Sequence, residues 1–188
     1  YHIQDNIAYW EEFLLPKIIV PAITDNVNYA PDLTGYFSND KTSIVVSEDW
    51  RYLLTILNSA VSWWLTQQLF ASKQGGFFEF KPMYVSAIPI PQVTNDQRTV
   101  LEPLVEATIQ GISRPEYERL LNGLVYELFF PEDLHAINIH LFDACTAAGI
   151  HDGMDAQTVA AEIFHPRHPI YGQLFELQTL EAVRLIEG

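Results

Sequence analysis

The sequence predicts an α+β protein: a small β-meander or mixed sheet with packed helices, followed by a helical C-terminal region. Three observations carry this expectation. The first half holds short β-branched runs that stop at prolines or polar turns. The second half holds longer stretches of helical period headed by capping patterns. Charge divides at the same place: residues 1–98 have six Lys/Arg against ten Asp/Glu, and residues 99–188 have four against fourteen. The expected division is therefore residues 1–92 and residues 93–188.

In order, Ile7 to Leu15 reads as a short helix with Tyr9, Trp10, Phe13 and Leu14 available for burial. Lys17-Ile18-Ile19-Val20, closed by Pro21, reads as a short buried strand. Pro31-Asp32-Leu33-Thr34-Gly35 supplies turn chemistry before Tyr36-Phe37. Ser38-Asn39-Asp40-Lys41 is a polar tight turn leading into the β-rich run Thr42–Val46. A helix is expected from about Glu48, with Leu53, Leu57, Val61, Trp64 and Leu65 on one stripe. It stops before Gly75-Gly76, and the connection from Gly75 to Pro91 has no clear period. Thr94-x-x-Gln97 and Ser113-x-x-Glu116 are capping-box patterns at the heads of two helices. A third helix is expected from Pro131 to near Gly149, and two more over Asp155–Phe164 and Ile170–Ile186.

Composition narrows the function classes. With 48% hydrophobic residues the chain can bury a core, so disorder is excluded. The longest uncharged stretch, Tyr52 to Ser72, carries too many Asn, Gln, Ser and Thr side chains for a membrane span. The single cysteine, Cys145, allows no disulfide framework, and a reducing cytoplasm is the expected compartment. The net charge of −14 runs against nucleic-acid binding, and confines any such contact to the first half.

The most chemically suggestive segment is Ala71 to Tyr84. Gly75 and Gly76 let a backbone approach a ligand or adopt positive φ. Lys73 and Lys81 suit phosphates, and Gln74 offers a paired donor and acceptor to a base edge. By residue type alone the segment reads first as a Gly-Gly turn pinned by the aromatic residues Phe77, Phe78, Phe80 and Tyr84.

The run from Pro16 to Pro91 resembles the TaqI-like C-terminal specificity domain of adenine-N6 DNA methyltransferases and type IIG restriction-modification enzymes. Five landmarks carry the resemblance: Pro16-Lys17-Ile18-Ile19-Val20-Pro21, Gly35-Tyr36-Phe37-Ser38-Asn39, Tyr52 to Ser59 with its Leu-Asn-Ser ending, Gly75-Gly76-Phe77-Phe78-Glu79-Phe80-Lys81 with Tyr84-Val85, and the closing Ile88-Pro89-Ile90-Pro91. Leu121 to Leu128 is similar to the helical tail of such enzymes. The resemblance implies target recognition in double-stranded DNA, with a catalytic methyltransferase domain of the same polypeptide flipping and methylating an adenine. It implies Lys73, Gln74, Gly75, Gly76 and Lys81 as the DNA-facing loop and Asn39 and Lys41 as a second contact. Phe77, Phe80 and Tyr84 would shape the loop.

The Asn/Asp-Pro-Pro-aromatic motif of the methyltransferase is absent, since no Pro-Pro dipeptide occurs. No glycine-rich signature for S-adenosylmethionine is present either. No catalytic residue, cofactor or metal site is expected in this chain. S-adenosylmethionine, and magnesium where cleavage is fused to methylation, are expected in the rest of a longer enzyme.

Three other readings are open to the sequence. Asp32 with Glu79-Phe80-Lys81 mimics the Pro-Asp…Glu-x-Lys pattern of magnesium-dependent nucleases, but the Gly-Gly-aromatic context is unlike the central strand such a site needs. His135 and His140 lie five apart, off the spacing for shared ligation on one helix, and His165 and His168 fall in a loop. The alternative from a different class is a protein-interaction module whose acidic helices dock another restriction-modification subunit.

Overall fold

Lys17–Pro21 (β1) is the centre of a three-stranded antiparallel sheet in the computed structural model, which describes residues 10–39 and 41–188. The β-branched side chains expected to be buried are so: Ile18 and Val20 face the core. Ile23–Thr24 (β2) follows, then Ala30–Asp32 (β3) and Thr42–Val46 (β4). Strand β1 pairs with β3 on one side and β4 on the other, in register Lys17 with Asp32 and Ile19 with Ile44. A meander would have placed sequential strands side by side. Here β2 is diverted to a second sheet, so β1 closes the gap between β3 and β4. Of the expected opening helix, residues 7–9 lie outside the described residues, as does Asp40 of the tight turn; Glu11–Leu14 forms a single 3-10 turn.

The helix expected from Glu48 is two helices, Trp50–Leu57 (α1) and Ala60–Leu69 (α2). Asn58 and Ser59 break it, each with a tertiary or capping task. Asn58 clamps Tyr29 through two hydrogen bonds of 2.9 Å, accepting from its amide and donating to its carbonyl. Ser59 caps α2 by accepting from the Ser62 amide.

The segment from Gly75 to Pro91, which shows no period in sequence, is ordered by pairing. Ala71–Ser72 (β5) and Phe78–Glu79 (β6) form a hairpin, and β2 adds to the free edge of β6 to give the sheet order β2-β6-β5. One helical turn, Pro82–Val85 (α3), follows. The Tyr52 hydroxyl donates to the Pro91 carbonyl at 2.5 Å and pins the end of the segment to α1.

The second half is helical as expected, but more divided. Asn95–Ile109 (α4) has the complete capping box, with Thr94 and Gln97 bonding each other's backbone amides. Arg114–Phe129 (α5) lacks one: Ser113 sits at φ +40° and makes no cap, because a left-handed residue does not aim its hydroxyl along the helix start. The helix expected from Pro131 to Gly149 is Pro131–Ala136 (α6) and Leu141–Ala147 (α7), folded back at Asn138 with φ +61°. Ala156–Ile163 (α8) is single. The expected last helix is Pro169–Glu176 (α9), a 3-10 turn, and Glu181–Glu187 (α10). One continuous core runs from Ile18 to Val183, with α4 packed on α1 and α10 on α2. Among the described residues, no helix is long and apolar enough to cross a membrane.

Candidate nucleic-acid interface

The glycine-aromatic-lysine loop is the tip of the β5–β6 hairpin. Ser72 pairs with Phe78, and the Lys73 amide donates to the Phe77 carbonyl at 2.7 Å, leaving Gln74, Gly75 and Gly76 at the apex. Both glycines have φ +82°, a conformation that L side chains rarely adopt, so the dipeptide is required by the turn itself. Every residue from Lys73 to Phe77 is exposed.

The aromatic residues divide by depth. Phe80 is buried, with its ring edge-on to Tyr29 and to Phe70, and the half-buried Tyr84 ring stacks on Phe70 at 5.5 Å. Phe78 packs edge-on against Trp63 at 5.5 Å. Phe77 stays exposed at the tip, its ring 3.6 Å from where a Cβ on Gly75 would lie. The root of the hairpin is anchored in the core and its apex is presented to solvent.

The electrostatics at the tip are internally compensated. Glu79 Oε2 lies 3.4 Å from Lys73 Nζ and 3.3 Å from Lys81 Nζ, one carboxylate serving two exposed lysines. Desolvation raises the Glu79 pKa, but the hydrogen bonds from Lys81 and Lys73 outweigh it and hold the carboxyl below its usual range. Lys17, Arg51 and Arg98 of the first half are likewise paired with Asp32, Glu106 and Asp49.

The second candidate contact is a turn in which Asn39 Oδ1 accepts from the Lys41 amide at 3.0 Å. Ala22 ties this turn to the hairpin. Its amide donates to the Lys41 carbonyl at 2.9 Å, and its carbonyl accepts from the Phe80 amide at 2.8 Å. Lys41 and Phe80, far apart in sequence, thus both bond to one residue.

The nuclease-like pattern dissolves in three dimensions. Asp32 belongs to the first sheet, where its carboxylate takes hydrogen bonds from Lys17, Thr34 and the Tyr36 amide; Glu79 belongs to the second, between its two lysines. His165 and His168 are satisfied loop residues, His168 Nδ1 accepting from the Ile170 amide at the head of α9. His135 and His140 depart from expectation: the fold-back at Asn138 stacks their rings 4.4 Å apart. Sequence spacing missed this because they stand on different helices.

The first half is thus an α+β unit that projects a glycine-tipped hairpin from an aromatic anchor. Residues 2–90 match the family model of the TaqI-like C-terminal specificity domain. The match supports a DNA sequence-specificity role, of the kind found in restriction-modification enzymes, for the first half of the chain. No curated protein matches the chain.

Proposed function

We propose that this chain reads duplex DNA and holds it for a methyltransferase domain of the same polypeptide, which methylates an adenine with S-adenosylmethionine. If the enzyme also cleaves, that step and its magnesium belong to the same catalytic part, and the system acts in the cytoplasm. The observation that carries the reading is the hairpin apex. Gln74, Gly75 and Gly76 stand clear of the core, with Lys73 and Lys81 at the flanks to meet phosphates. Gln74 suits the edge of adenine, because its amide donates and accepts at once. Asn39 and Lys41 provide a second contact on the far flank of Ala22. Phe80 and Tyr84 fix the hairpin's root, and Phe77 shapes its tip.

Binding by the isolated chain is weak in this reading, since phosphate neutralisation supplies most non-specific affinity and this module's cations are largely committed to its own carboxylates. Fluorescence anisotropy on random duplexes at low salt tests it, with wild type beside Lys73→Ala/Lys81→Ala. The expected result is salt-sensitive binding whose log–log salt slope flattens by about 0.9 for each phosphate contact removed. A double variant that binds as tightly as wild type overturns the loop assignment. If neither binds, the same pair is compared in the full-length enzyme, where equal affinity overturns it.

A further inference from the structure

We propose that Glu127, His135 and His140 form a three-ligand site for a divalent transition ion of the zinc class, in the helical region outside the family match. One ligand atom from each lies within 4.8 Å of the other two. The donors come from three elements: Glu127 from α5, His135 from α6, and His140 from the residue that opens α7. Imidazole and carboxylate together are a donor set that zinc accepts, and three protein ligands leave a fourth position for water.

The geometry is close to what one ion needs. Metal–nitrogen and metal–oxygen bonds of about 2.1 Å at tetrahedral angles place ligand atoms roughly 3.4 Å apart. His135 Nε2 and Glu127 Oε1 are already 3.1 Å apart, so an ion can replace the proton they share with a shift of a few tenths of an ångström. The His140 donor atom lies within 4.8 Å of both, and its half-buried ring stacks on His135.

The carboxylate is held for the task. Glu127 is 7% exposed, and its Oε2 accepts from the Leu141 amide at 2.7 Å and the Phe142 amide at 3.0 Å, capping α7. That leaves Oε1 for His135 Nε2, and backbone bonds to the other oxygen are the kind of outer-shell support that orients a metal-binding carboxylate. The backbone of His140 is fixed separately, its amide donating to Gln173 Oε1 of α9 at 2.9 Å. The surrounding half of the chain, with four Lys/Arg against fourteen Asp/Glu, favours a cation. A bound ion would cross-link α5, α6 and α7 at the point where the chain folds back.

The test is zinc competition against a chromogenic chelator at neutral pH, with the full chain and with His140→Ala, His135→Gln and His165→Ala. Cobalt(II) absorption serves as a second probe. One equivalent bound by wild type, weakened at least about tenfold by either of the first two changes, supports the site; even loss of an outer-shell partner has an effect of that size. His165→Ala should bind as wild type does. Glu127 is left intact because it also caps α7. Thermal melts in chelator establish that the variants fold. Should either fail to fold, the ring proton resonances of the wild type decide: zinc must shift His135 and His140. No uptake by wild type, unchanged uptake by folded His140→Ala, or shifts confined to His165 and His168 overturns the proposal.

Discussion

Lys17 Nζ and Asp32 Oδ2 meet at 2.5 Å in the core, with the lysine side chain fully buried and the aspartate nearly so. Lys17 also donates to the Phe13 carbonyl at 2.6 Å, and Asp32 accepts from Thr34 and from the Tyr36 amide. The pair thus fastens the strand β1 to the turn that displays Tyr36, and its polar groups are satisfied on both sides. That is the condition under which a buried ion pair is tolerated.

Asp32→Asn leaves a lysine charge in the core without its counter-ion, and is expected to destabilise the chain by about 3–5 kcal/mol. Urea unfolding measures it. Desolvation raises the Asp32 pKa, but the hydrogen bonds from Lys17, Thr34 and Tyr36 hold it well below the usual carboxylate range. A carboxyl depressed in the folded state stabilises above its unfolded value of about 3.9, and loses that contribution as pH falls towards the folded value. The wild type should therefore lose more stability than Asp32→Asn between neutral pH and strongly acidic pH, with the difference appearing below about pH 4. A flat difference across that range would contradict the assignment.

Glu79→Gln should separate electrostatics from stability at the hairpin. The two ion pairs are half-exposed and screened by solvent, so little change in unfolding free energy is expected. In the proposed orientation the same change removes a negative charge facing phosphate and releases Lys73 and Lys81 towards it. DNA affinity at low salt should rise, with a steeper salt dependence. Unchanged or weaker binding would argue that the two lysines do not face DNA. Because the Glu79 carboxyl is held below its usual range, both pairs persist through neutral pH and are lost only under acid.

Gly123 sits inside α5, where alanine would favour the helix by roughly 1 kcal/mol. A Cβ there would nevertheless fall 2.8 Å from side-chain carbons of Leu141 and Leu174 and 3.2 Å from Leu177. Gly123→Ala is therefore expected to destabilise by about 1–3 kcal/mol, as overpacked cores do. A calorimetric melt should show a lower Tm; a higher one would mean that α7 and α9 yield easily.

The landmarks that were legible in sequence are local ones. A β-branched run before Pro21, two glycines at an apex and a Thr-x-x-Gln box act through neighbouring backbone, and each is found where the sequence placed it. The α+β class follows from the same local signals. Ser113 marks the limit of such reasoning: a helix does start there, but a left-handed backbone turns the hydroxyl away and no capping box forms.

Local signals suffice for the α+β class, for the aromatic and glycine residues of the hairpin, and for the spaced landmarks that resemble a specificity domain. Only the tertiary structure decided which distant residues meet. It gave Asn58 to Tyr29, Lys17 to Asp32, the lysines to Glu79 and the paired imidazoles to Glu127. The physical reason is range. Helical and strand periods report contacts within a few residues, whereas these partnerships form where the chain returns on itself, at breaks such as Asn58 and Asn138 that periodicity passes over.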